Sequence, residues 1–135
     1  MKLILVLSAL IIVCGCSHPG WTYLEQKEYR KAEHAFHEML TESPKQGAYL
    51  GLYKSYVGLA EIDSAEYYLY EGLRLYPNDG IISYSAGLHY LYVARNDSLG
   101  VAFMRKSQSL FGSGKISDQI EEEIQSALKR QPSIK

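Results

Sequence analysis

Cysteine is nearly absent from this 135-residue chain, which has only Cys14 and Cys16. Whatever the later residues build therefore folds without disulfide staples, a thiol nucleophile or a cysteine-held zinc. Excess charge of either sign is also lacking, because 14 Lys+Arg against 15 Asp+Glu leave a net charge of −1. No whole-chain electrostatic case exists for gripping a nucleic-acid backbone. Four prolines and eleven glycines are too few for a fibrous or disordered chain. The longest apolar run, Leu3 to Val13, falls well short of the ~20 residues that a bilayer-spanning helix needs. Trp and Phe are scarce, at one and three, against twelve tyrosines. With 47% apolar and 21% charged residues there is material for one small packed domain, and a large multidomain enzyme is excluded.

The apolar run follows Met1-Lys2, a minimal positive start, and reads as a signal sequence. It ends in Val13-Cys14-Gly15-Cys16, which resembles the bacterial lipobox: an aliphatic residue, a small residue and Gly or Ala before the cysteine that receives lipid. Cys16 fits that role, and Cys14 fits worse because bulky Val13 would then occupy a position reserved for small side chains. The resemblance implies a signal peptide over 1–15, a lipidated tether over 16–20 and several acyl tails on Cys16, enough to hold a domain on a membrane it does not cross. Ser17 is not the Asp that in enteric bacteria favours inner-membrane retention, so the outer membrane facing the periplasm is the expected location. An ordinary secretory signal or an uncleaved anchor is the alternative.

Beyond the tether the chain repeats itself every 33 to 34 residues. Tyr23, Tyr56 and Tyr90 correspond, as do Ala32, Ala65 and Leu99, and Phe36, Leu69 and Phe103; Pro44 and Pro77 share the frame. Such a period, with apolar residues at helical spacing inside it, predicts antiparallel helix pairs stacked into a solenoid. A small residue such as Ala32 or Ala65 opens a hole that a Tyr or Phe fills, and each proline ends the second helix of its pair. These residues, together with Tyr49, Leu52 and Gly72 in the second unit and Ala86-Gly87 in the third, resemble the tetratricopeptide repeat family over about Gly20 to Phe111. The resemblance implies an all-α fold, a short right-handed α-solenoid of TPR-like hairpins over 21–111. The third unit departs from the pattern, with Phe111 in place of the exit Pro and Lys106-Ser107 where small or apolar residues belong.

After Gly112-Ser113-Gly114, the residues Ile116, Ile120, Ile124, Ala127 and Leu128 form an i, i+4, i+8 stripe beside Glu121-Glu122-Glu123. This predicts an amphipathic capping helix within 112–135, with Asp118 and Glu121 as its capping box. Helices are expected over Thr22–Lys27, Arg30–Glu42, Gln46–Ala60, Asp63–Leu75, Gly80–Arg95, Ser98–Leu110 and Ser117–Gln131.

A search for chemistry finds little. His34 and His37, three apart near Glu33 and Glu38, are two candidate metal ligands without a third. His89 sits inside a repeat helix and reads as a packed residue, and His18 falls in the tether. Gly112-Ser113-Gly114 lacks the lysine and the preceding strand of a phosphate loop, and no serine lies in a Gly-x-Ser-x-Gly elbow. Consecutive helical residues such as Glu121, Glu122 and Glu123 diverge by about 100°, which suits a solvated face better than paired catalytic carboxylates. Most tyrosines, including Tyr23, Tyr53, Tyr56, Tyr68 and Tyr90, fall at space-filling positions of the repeat.

What remains is a surface. In TPR-like arrays the first helix of each unit lines a groove, and the resemblance maps that groove onto Leu50, Lys54, Val57, Tyr84, Leu88 and Leu91. Such a surface suits an amphipathic helix or an extended apolar peptide. The expectation is a membrane-tethered protein-interaction module without catalysis, cofactor, bound metal or nucleic acid. Self-association that covers the groove stays open. So does the alternative of a binding protein for an apolar ligand or a metal, using the groove or the His34/His37 pair.

Overall fold

The computed structural model describes residues 18–130, so the signal peptide expected over 1–15 and the expected lipidation site Cys16 lie outside the described residues. Seven helices follow one another: α1 Pro19–Glu25, α2 Tyr29–Glu42, α3 Gln46–Gly58, α4 Ile62–Leu75, α5 Gly80–Tyr92, α6 Asp97–Phe111 and α7 Lys115–Arg130. Among the described residues there is no strand. Each helix packs on the next, and α1 also touches α3 as α3 touches α5. Odd and even helices thus form two layers, the arrangement expected of stacked hairpins.

The repeat is written into the backbone. At the turn inside each hairpin one non-glycine residue turns left-handed: Lys27 at φ 59°, Ala60 at 59° and Arg95 at 56°. The carbonyls of Tyr23 and Tyr56 accept from the amides of Glu28 and Glu61 at 2.8 and 2.9 Å, the 6→1 bond of a Schellman ending. Tyr90 accepts from Asn96 at 2.7 Å, one residue further along. The extra residue in this third turn moves the packing of α6 one place along, so Gly100 and Met104 are buried where the sequence frame had Leu99 and Phe103.

Helices α3 and α5 lie between neighbours and bury residues on most of their circumference: Ala48, Leu50, Gly51, Leu52, Tyr53, Ser55 and Tyr56 on α3 alone. The outer helices bury one stripe each, for example Ala65, Leu69 and Gly72 on α4. Phe36 shows the packing logic. Its ring is slotted between α1 and α3, so closely that a Cβ on Gly20 would come within 2.8 Å of it and one on Gly51 within 2.4 Å. Trp21 meets the same ring edge-on at 4.9 Å. Two buried clusters result. One joins α1 to α4 with Ile82 and Ala86 of α5; the other holds Leu91, Met104, Ile120, Ile124 and Ala127. The two meet at α5, so the apolar interior is two clusters in series and not the single seam of an ideal repeat stack.

Three sequence expectations shift. First, α1 begins at Pro19, not Thr22, and Gly20 is buried, so 19–20 belong to the domain and not to a tether. His18 caps this helix, its Nδ1 accepting from the Gly20 amide at 3.3 Å while its ring stacks on Phe36. Second, α7 begins at Lys115 and the Asp118 amide donates to the Gly114 carbonyl at 3.0 Å, so Asp118 is inside the helix and is not its cap. Glu121 instead accepts from Gln108 at 3.0 Å, fastening α7 to α6, and from Gln125 of its own helix at 2.8 Å. Third, Ser107, polar where the repeat wants an apolar side chain, is fully buried and donates to the Gly80 carbonyl at 2.7 Å. That bond leaves no buried hydroxyl stranded and ties α6 to the start of α5.

Candidate interaction face

The six predicted groove residues do not share one environment. Leu50 is 9% exposed and Leu91 only 1%, so both are core residues. The physical reason is that α3 and α5 each pack against helices before and after them in the stack: with partners on several sides, a face that would be open in a shallower array is used for packing. Leu50 joins the cluster of α1 to α5, and Leu91 contacts the α6–α7 cluster. They are withdrawn from the groove. Val57, Tyr84 and Leu88 are half-buried, and Lys54 is exposed.

Lys54 sits beside α1, its Nζ 5.6 Å from the centre of the Trp21 ring. Burial pushes its pKa below the ordinary lysine value. The side chain is therefore reached by water yet surrounded by protein on several sides, as a cation in a concave surface is. Val57, three residues on, rests against the first cluster and shows one side of itself to solvent. Tyr84 and Leu88 pack on the second cluster, whose isoleucines come from α7. The C-terminal helix thus covers part of the third unit's wall, and that wall continues as a groove of about 510 Å³ lined by Tyr84, Tyr92, Gln119, Glu122, Glu123 and Ser126. Tyr84 is held above the usual phenol pKa by burial first and by Glu123 second. A larger depression of about 750 Å³ is lined by residues of α7 alone and has no facing wall.

The histidines take structural positions. His34 is exposed, with Nε2 3.4 Å from Glu38. His37 Nε2 shares a hydrogen bond with the Tyr56 hydroxyl at 3.1 Å, and that hydroxyl also contacts Glu33 at 3.1 Å. The two histidines are engaged by different partners, and among the described residues no group of three or more His, Cys, Asp or Glu side chains converges to hold a metal. His89 is fully buried, as its position inside the repeat led one to expect, and its Nε2 lies 3.0 Å from Glu66 across the α4–α5 joint. Tyr70 and Tyr90 bond hydroxyl to hydroxyl at 3.0 Å across the same joint.

Of the tyrosines assigned to the interior, Tyr53 and Tyr56 are buried, and Tyr23 and Tyr68 pack against the first cluster. Tyr67 and Tyr70 stay exposed on α4. Residues that sequence reasoning missed at the candidate face are Trp21, Glu122, Glu123 and Tyr92. Their helices have the right periodicity, but only packing shows that α1 flanks α3 and that α7 lies against α5. No family model matches the chain, and neither does any curated protein.

Proposed function

We propose that this chain is a lipid-tethered adaptor of the bacterial envelope, anchored through Cys16, that holds a peptide segment of another protein against the open face of α3, α5 and α7. Kinship with the tetratricopeptide repeats is part of this reading, and catalysis is not. The observation that carries it is that Lys54 and Val57 on α3 and Tyr84 and Leu88 on α5 keep part of their surface open, with Glu122 and Glu123 facing Tyr84 across a groove. The face offers apolar contacts, a cation on α3 and two carboxylates on α7. A segment with apolar anchors, an acidic residue toward Lys54 and a basic one toward α7 complements it. The carboxylate-clamping mode, which needs several cations, does not suit a face with one lysine.

The test is photo-crosslinking in the native membrane from a reactive side chain at position 57, followed by identification of the attached protein, then repeated with Lys54→Glu. Lys54 is exposed, so its reversal leaves folding intact, and helical circular dichroism checks this. Expected is one defined adduct that the reversal abolishes. A well-folded Lys54→Glu protein that still forms the adduct would refute the face. Leu88→Glu is a poorer probe, because Leu88 supports the second cluster. Separately, Cys16→Ser is expected to move the protein from the detergent phase to the aqueous phase.

A further inference from the structure

The two ends of the helices form two edges of the stack, and they differ in chemistry. One edge holds the turns inside hairpins, around Lys27, Ala60 and Arg95. The other holds the turns between hairpins, at 43–45, 76–79 and 112–114. These latter turns are joined to one another: the Tyr76 hydroxyl donates to the Pro44 carbonyl at 3.2 Å, and the Phe111 ring lies where a Cβ on Gly80 would be 3.1 Å away. Helix α1 starts at this same edge, since Trp21 lies near Gly47 in the first turn of α3.

At the edge of turns between hairpins, Leu75, Ile81, Leu110, Phe111 and Ile116 occupy first or last helical turns and are 36 to 53% exposed. Ile81, Phe111 and Ile116 flank an open apolar cleft of about 120 Å³. Among the described residues the helix-joining ion pair nearest this edge, Arg105 to Glu121 at 3.4 Å, lies more than a turn inside it. The opposite edge also shows apolar side chains, Val93, Leu99 and Leu128 among them. There, however, they stand among ion pairs that link helices, Arg30 to Glu61 at 2.7 Å and Arg130 to Asp97 at 3.4 Å, as a water-facing edge requires.

Chain length says what covers the apolar edge. Between Cys16 and Pro19 there are three peptide steps, at most about 10 Å of extended chain. Helix α1 cannot peel away to lengthen that reach, because Gly20 is sealed under the Phe36 ring. A lipid on Cys16 therefore brings the edge where α1 begins to within about 10 Å of the headgroups. We infer that the edge formed by the turns between hairpins is a membrane-contact surface, with Ile81, Phe111 and Ile116 seated in the headgroup region of the bilayer. The inference rests on the tether at Cys16. Lys45, Arg74 and Lys115 at this edge are offset by Glu42, Glu71, Asp79 and Asp118, so the contact is apolar in origin and does not need anionic lipid. In this posture the axes of the helices stand away from the membrane and the face of α3 and α5 opens sideways, free for a partner.

The experiment uses the full-length, processed protein in phosphatidylcholine vesicles. Thiol-reactive fluorophores are placed at Ile116→Cys, Ile81→Cys and Asn96→Cys, and nitroxide-labelled lipids serve as quenchers. Intact mass first establishes acylation. Expected is strong quenching at 116 and 81 and none at 96, unchanged when anionic lipid is added. Acylated protein on the vesicles with 116 and 81 unquenched, or with 96 quenched equally, overturns the membrane edge while the tether stands. A processed protein without acyl mass overturns the tether and the edge with it. Photo-crosslinks from 116 that capture a protein and no lipid in native membranes would assign the edge to a protein partner and likewise refute the inference.

Discussion

Gly51→Ala is the sharpest test of the packing described above, because two effects of opposite sign meet at one methyl group. In an exposed helix interior, alanine in place of glycine adds about 1 kcal/mol of stability. Here the new Cβ would lie 2.4 Å from the Phe36 ring, closer than any real contact. The ring has nowhere to go: its far edge abuts Gly20, where a Cβ would be 2.8 Å away, and Trp21 closes a third side at 4.9 Å. Overpacking costs about 1–3 kcal/mol, and an approach of 2.4 Å to a pinned ring belongs in the upper part of that range, about 2–3 kcal/mol, which exceeds the propensity gain. The expected net effect is a loss of about 1–2 kcal/mol, or a fall in Tm of about 5–10 °C for a domain of this size. Gly47→Ala is the internal control. Its Cβ would sit 3.8 Å from Met39 and 3.9 Å from Trp21, ordinary contact distances. That variant is expected near wild type. Urea unfolding followed by far-UV circular dichroism reads both, and the fluorescence of the lone Trp21 reports the disturbance beside Phe36 directly. A Gly51→Ala protein as stable as wild type, or more so, would refute the slotted-ring account.

Ala60 is a non-glycine residue at φ 59°, so Ala60→Gly is expected to stabilise the second hairpin by about 0.5–1 kcal/mol, reversing the usual penalty for glycine; denaturant melts check the sign. Asp79 caps α5, its Oδ1 accepting from the amides of Ile81 and Ile82 at 2.9 Å each. Asp79→Ala should cost about 1 kcal/mol and Asp79→Ser much less, again read from urea midpoints. Tyr53 and Tyr56 are each pushed up to about 12, by burial first and then by Glu66 and Glu33 respectively. The folded state keeps these phenol protons at a pH where the unfolded chain has released them. Stability from them is therefore complete below pH ~10 and lost as pH climbs toward ~12. Phenolate absorbance should show late-ionising tyrosines that turn ordinary in urea, and a folded-state titration with none above the ordinary range would contradict the burial.

How much of this was legible beforehand can be argued from particular residues. Tyr23, Tyr56 and Tyr90 share a frame, and their carbonyls do close successive hairpin turns. Ala32 and Ala65 are fully buried, Phe36 fills the space between helices, and Pro44 and Pro77 stand in the turns after α2 and α4. Period and side-chain size carry such information because each hairpin solves the same local packing problem. The left-handed turns at Lys27, Ala60 and Arg95 could not be foreseen, since none of these residues prefers positive φ. The position is imposed by the bond that closes around it, 6→1 at Lys27 and Ala60 and one residue longer at Arg95. The candidate face was legible only in part. The resemblance to the repeat family mapped a groove onto Leu50, Lys54, Val57, Tyr84, Leu88 and Leu91, but a repeat frame reports direction around one axis and not how many neighbours crowd that axis.

The residues alone determined an all-helical chain, its hairpin period, the small and large side chains that interlock, and a closing amphipathic helix. These follow from local propensity and a periodic apolar pattern, which each segment expresses by itself. Tertiary structure alone decided that α3 and α5 lie between neighbours and sink Leu50 and Leu91, that α7 covers Tyr84 and Leu88, and that one edge gathers apolar ends while the other gathers ion pairs. Those outcomes depend on distances between segments far apart in the chain, which no local pattern encodes.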